Sequence, residues 1–274
     1  MDTASDKALQ RFAELMIEKI KQVEDNWQKP WFGIKGGGLP QNIEGRTYNG
    51  VNSFMLFLLS EKEQYSLPVY MTFMQAKDSG LNILKGEKSF PVIYWNFSVR
   101  DKNGKKIPFD VYKNLNKNEQ QEYKVTPFLK TYNVFNVQQT NLQETKPEKW
   151  EALKEQFKIP AIKDEQGMLT VPLIDAMVRE QKWICPIYSK EGNSAYHARG
   201  EENHIVVPLK GQFKDGENFY STLLHEMAHS TGEPEHLNRE KGVIFGDKQY
   251  AKEELVAELT SATVGQSLGI STYI

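Results

Sequence analysis

Two histidines and a glutamate stand within five residues at His225-Glu226-Met227-Ala228-His229, in the stretch Tyr220 to Gly232 that the residue types predict to be helical. A spacing of four puts both imidazoles on one helix face, one turn apart. Two nitrogen ligands of a tetrahedral Zn²⁺ need that separation. Glu226, next to His225, is placed to act as a general base on water at such an ion. Chance pairing is a poor explanation, because the chain has only five histidines in 274 residues. Leu223, Leu224, Met227 and Ala228 give the predicted helix a buried side, and Gly232 is a natural stop.

A catalytic zinc site keeps three protein ligands and one open position, so a third ligand must come from further along. A histidine six residues after His229 would complete one known pattern, but that position is Glu235, and His236 falls one residue late. The alternative is a carboxylate on a second helix. Tyr250 to Leu259 is strongly helical, with Leu255, Leu259 and Ala262 as its apolar side. Glu254 and Glu258, four apart, share a face. Glu254 is the expected ligand, ahead of Glu253, Glu258 and His236, and Glu258 is the acceptor that orients a ligand histidine. A helical Glu-x-x-x-Glu downstream of His-Glu-x-x-His resembles the gluzincin arrangement.

Those two helices need a scaffold, and the chain between and before them supplies one. A strand at His204–Pro208 precedes the histidine helix and is the expected edge for pairing with an extended peptide. Further strands are expected at Phe90–Trp95, Thr131–Val137 and Ile184–Tyr188, and helices over 5–24, 53–59, 72–79, 145–157 and 173–181. Residues 100–124, dense in Lys, Asn, Glu and Gln, are expected as a solvated insertion or hairpin tip. His197 falls in a polar stretch and is not expected to bind metal. The fold class is α+β in two domains: 1–145, a linker over 146–166, and 167–274.

Bulk properties narrow the class of protein. Hydrophobic residues make up 39% and charged residues 26%, the balance of a globular chain. No apolar run reaches the length of a membrane span, so no membrane partner is expected. No secretory signal is expected from the polar start, and the single Cys185, in an apolar run, suits a packed thiol in a cytoplasmic protein. Net charge is −2 overall, but residues 1–160 carry 23 Lys and Arg against 19 Asp and Glu. That mild excess hints at an anionic partner for the first domain.

Trp27, Lys29 and Trp31 stand together in a loop, a composition that suits stacking bases while a lysine meets phosphate. Composition alone favours the same tryptophans as core plugs. Arg46, Tyr48, Asn49 and Asn52 form a donor-rich turn of the kind that contacts phosphate and sugar. Lys85 and Lys88 flank Gly86 and suit a phosphate, though such turns are usually plain solvated surface.

Taken together and in order, several motifs resemble the ArdC antirestriction proteins. In the second half they are Phe219 to Gly232, Leu237-Asn238-Arg239, Phe245-Gly246 and Tyr250 to Leu259. In the first half they are Lys29-Pro30-Trp31, Asn42, Gly45 to Asn52, Lys85-Gly86-Glu87-Lys88 and Val134-Phe135-Asn136-Val137. The resemblance implies an N-terminal domain that binds single-stranded DNA, followed by a zincin-like metallopeptidase domain. It also implies a role for mobile elements in protecting incoming DNA from host restriction, but it carries over no protein substrate; host restriction proteins are the expected partner, as target or substrate. Zn²⁺ would then sit on His225, His229 and a downstream glutamate, with Glu226 as base. Two other readings remain open: a non-catalytic DNA-binding decoy of restriction enzymes with structural zinc, and a peptidase unrelated to DNA.

Overall fold

The computed structural model describes residues 3–24, 32, 37–159, 162–239 and 247–272. Trp27, Lys29, Trp31 and the Phe245-Gly246 pair lie outside them. Helix α1 (Ala4–Glu24) buries Ala8, Phe12 and Leu15, the expected helical spacing. Strand β1 (Gln41–Asn42) enters a tight turn in which Asn42 Oδ1 accepts from the Glu44 and Arg46 amides. Gly45 takes φ +88° there, a value that disfavours any other residue. The apolar run that follows is α2 (Val51–Glu63), buried from Met55 through Leu59 because the sheet and α1 enclose it.

After β2 (Val69–Thr72) and α3 (Phe73–Asp78), a long hairpin dominates the first domain. Strand β3 (Phe90–Asp101) pairs antiparallel with β5 (Tyr123–Asn136), in unbroken register from Phe90↔Val134 to Asp101↔Tyr123. Both strands run past the expected apolar segments, because their outer halves are paired but largely solvated. The polar insertion forms the hairpin tip, as expected, and holds β4 (Lys106–Ile107), α4 (Phe109–Lys113) and α5 (Lys117–Gln120). Stacked rings of Phe97, Phe109 and Tyr112 fasten that tip to β3. The sheet order is β1-β2-β5-β3-β4.

Helices α6 (Leu142–Thr145) and α7 (Pro147–Gln156) follow. Leu153 and Phe157 pack with Leu67, Val69 and Met71, which docks the helix expected over 145–157 on the first half of the chain. The second half contains α8 (Pro172–Arg179), β6 (Ile187–Lys190), β7 (Tyr196–Ala198), β8 (His204–Pro208), α9 (Gly216–Ser230) and α10 (Lys248–Leu268). Its sheet order is β6-β8-β7. This corrects the expected peptide edge: His204–Pro208 is the central strand, hydrogen-bonded on both sides. His197 likewise lies in a strand, β7, with its side chain only 1% exposed.

α10 ties the halves together. Its Leu259 and Ala262 pack among Phe12, Tyr48, Met55 and Phe57 of the first domain, while its earlier turns face α9. The architecture is α+β. Among the described residues no helix is long and apolar enough to cross a membrane.

Candidate metal centre

Helix α9 carries the two histidines, and its position is fixed at both ends. Asp215 caps it by accepting from the Asn218 amide at 2.8 Å. Gly216 passes so close to the Leu169 backbone that a Cβ would stand 2.5 Å from its carbonyl oxygen. Tyr220, fully buried, donates to Asp175 at 2.6 Å, and Trp183 donates to Ser230 at 2.9 Å. With roll and height set, His225 and His229 point together at α10.

His225 Nε2 and His229 Nε2 lie 3.0 Å apart, and Glu254 reaches them at 3.4 and 3.5 Å. Two ligands about 2.0–2.1 Å from a tetrahedral ion stand about 3.3–3.4 Å apart, so the triangle has the right size for one divalent ion. An N₂O donor set also suits such an ion. Among the described residues these three alone form a group with metal-ligand spacing. His236 is exposed in the turn after α9 and takes no part.

The far nitrogens of both imidazoles meet carboxylates. Glu258 stands 3.2 Å from His225 Nδ1. His229 Nδ1 meets Glu253 at 3.3 Å, a partnership that helical spacing alone did not indicate. Glu253 is 3% exposed and is held by Arg239 through Nε at 2.9 Å and Nη2 at 2.7 Å. Arg239 also donates to Thr231 Oγ1 and to the Ala228 carbonyl at the C-terminal end of α9, where a cation is favoured. The turn 231–239 folds back through Leu237, Asn238 and Arg239 amide bonds to bring this residue into place. The conspicuous signal for it was the Leu237-Asn238-Arg239 motif itself.

The electrostatics follow from burial and these partners. Burial opposes a proton on His225, but Glu258, then Glu226 and Glu254, outweigh it and raise its pKa. His229 is lowered by burial and by the charge on His225, which favours the neutral, ligating form. Burial raises Glu226, and a backbone hydrogen bond from His197 on β7 partly opposes that. Glu226 is therefore tied to β7, which flanks β8 and packs on α9.

The first-domain candidates divide. Arg46 and Tyr48 line a cavity of about 600 Å³ together with Tyr94 and Tyr132, two residues the sequence reading missed. The signal for them was the alternation Val92-x-Tyr94 and Lys130-x-Tyr132-x-Val134. Asn49 is exposed beside a groove against α10. Lys85 and Lys88 are exposed in the turn before β3. Asn52 is better explained as a structural residue: it is 6% exposed and its amide clasps the β3 edge, donating to the Ile93 carbonyl at 2.6 Å and accepting from its N–H at 2.9 Å. Asn52→Ala should therefore cost about 1–3 kcal/mol of stability in a urea titration and leave oligonucleotide affinity unchanged.

The fold and this site define a protein that couples a zincin-like domain to an α+β domain preceding it. The family described as the N-terminal domain of anti-restriction factor ArdC matches residues 6–135, and that described as a zincin-like metallopeptidase matches 174–274. The chain is an ArdC-type two-domain protein. It is similar to the crystal structure of antirestriction ArdC from plasmid R388, with a TM-score of 0.65 and 26% identity over 96% of this chain and 83% of that one. The Mn(II)-bound structure of the same protein gives 0.62 and 25%, over 95% and 82%. A DNA primase TraC of Escherichia coli is 32% identical over 95% of this chain, which spans only 23% of that protein. An uncharacterized Sinorhizobium fredii protein, y4eC, is 25% identical over 96% of this chain and 78% of its own length.

Proposed function

We propose that this chain is an antirestriction-type protein that binds single-stranded DNA and cleaves protein at a zinc centre. The observation that carries the catalytic part is the donor triangle of His225, His229 and Glu254, with sides of 3.0–3.5 Å. Zn²⁺ held there would supply Lewis-acid polarisation of a peptide carbonyl and acidify water. Glu226 takes the proton of the attacking water and delivers it to the leaving amine, its burial lifting its pKa towards the range where both transfers work. Glu258 and Glu253 fix the two imidazoles in orientation. An extended substrate segment pairs with the outer edge of β7, beside Glu226, in place of the expected β8.

DNA contact follows the outer face of the hairpin. Register puts Arg100, Phe128, Lys124 and Lys130 on one face with Tyr94 and Tyr132. Phe128 is 44% exposed and Lys130 lies 4.8 Å over the Tyr132 ring. Aromatic faces interleaved with cations stack bases and track phosphates without reading sequence. Host restriction proteins are the proposed substrates, and the cytoplasm the proposed compartment.

The test is transfer of unmodified DNA into a restricting host that carries Glu226→Gln in place of the parent protein. Protection should disappear while metal content and oligonucleotide binding persist. If the variant protects as well as the parent, catalysis is unnecessary, and the DNA-binding inhibitor with a structural metal is the correct reading.

A further inference from the structure

The geometry points to the cavity beside β3 as a pocket that takes one unstacked base of a bound DNA strand, an inference that rests on the single-strand reading above. The cavity, about 600 Å³, falls within the about 300–1,000 Å³ of sites that bind small molecules. Its floor is the paired Val92 and Tyr132, with Tyr94 one pleat further along the same face. The Asn42–Tyr48 turn and the start of α3 form its walls.

The polar groups around it sort into two sets. Thr72 and Gln75 are engaged with each other in the α3 capping box, and Asn42 Oδ1 is engaged with the turn amides. The Arg46 guanidinium and the hydroxyls of Tyr48, Tyr94 and Tyr132 make no hydrogen bond or ion pair among the described residues. A packing defect would be lined by apolar groups, whereas this space has three phenols and a cation with open valences. Tyr94 and Tyr132 meet edge-to-face, centroids 5.6 Å apart at 76°, an arrangement that leaves ring surface free for a flat ligand.

A nucleobase fits this chemistry better than another aromatic group because of what adjoins it. Arg46 and Lys130 stand at the rim, and the same hairpin face continues outward through exposed Phe128 and Lys124. A strand running along that face would keep its phosphates on the cations and turn one base inward between the tyrosines. The turned base then fixes the strand's register.

The experiment uses an octathymidylate with one 5-iododeoxyuridine, photo-crosslinked to the full chain and mapped by mass spectrometry, beside affinity measurements. In the parent, the crosslink should fall on Tyr48, Tyr94 or Tyr132. Met74→Trp fills the cavity from a side chain that is 58% exposed, so the fold should survive. It should abolish that crosslink and weaken binding about tenfold, the loss of one stacked base. Lys124→Ala should reduce the salt slope by about one and keep the crosslink. An oligonucleotide that binds the parent and Met74→Trp equally, with no crosslink in the cavity, overturns the pocket alone. A parent that retains no oligonucleotide overturns the single-strand reading and the pocket with it.

Discussion

His229→Ala protein will purify without stoichiometric divalent metal, and the metal-dependent part of its thermal stability will vanish. An ion that binds the native state alone stabilises it by about 2.7 kcal/mol at a hundredfold excess over its Kd. For a chain of this size that is about 5–10 °C in Tm. The parent should lose that increment on treatment with a chelator, while the variant melts identically with and without it. Comparing each protein with its own chelated form removes the packing cost of truncating a buried side chain. Glu258→Ala, which leaves the donor triangle intact and frees His225 Nδ1, should weaken metal affinity about 10–100-fold without abolishing it. Protons compete for the same nitrogens, and because its carboxylate neighbours raise His225, affinity in the parent should begin to fall while the pH is still above the ordinary histidine value of about 6.5.

Arg239→Ala is the second large effect, and it acts on the frame of the site. Glu253 is 3% exposed, and among the described residues Arg239 is its only fixed cation besides a protonated His229. Removing one partner of a buried ion pair leaves an uncompensated charge and costs about 3–5 kcal/mol. In the same step the Thr231 hydroxyl loses its donor and the Ala228 carbonyl loses one of two, keeping the bond from Thr231 Oγ1. A loss below about 1 kcal/mol in denaturant titration would mean the pair behaves as a solvated surface bridge. Burial alone would push the Glu253 carboxyl up, but Arg239, aided by His229, holds it below the usual range. A lowered native pKa contributes stability above the unfolded value, about 4.3, that is lost as pH falls through the native value. The parent should therefore lose stability on acidification more steeply than Arg239→Ala does.

How much of this was legible before the fold depends on how local each relationship is. The His225–His229 spacing and the Glu254–Glu258 spacing are helical turns, so sequence periodicity carries them directly. The Glu253–Arg239 pair joins a helix to a turn, and its register comes from the fold-back of 231–239, which no periodicity encodes. Strand order is equally non-local: His204–Pro208 has the apolar content of a buried strand, and that content is the same for a central strand as for a half-covered edge. Asn52 stood among donor-rich neighbours, and only the nearby β3 edge explains its amide. Tyr94 and Tyr132 were missed because they lie far apart in sequence and become neighbours through hairpin register.

The most direct test of the central claim is an anomalous-scattering map from a crystal grown with Zn²⁺. One peak is predicted, within about 2.0–2.2 Å of His225 Nε2, His229 Nε2 and a Glu254 carboxylate oxygen. A peak ligated by Glu253 or Glu258 in place of Glu254, or no peak between α9 and α10, would contradict it.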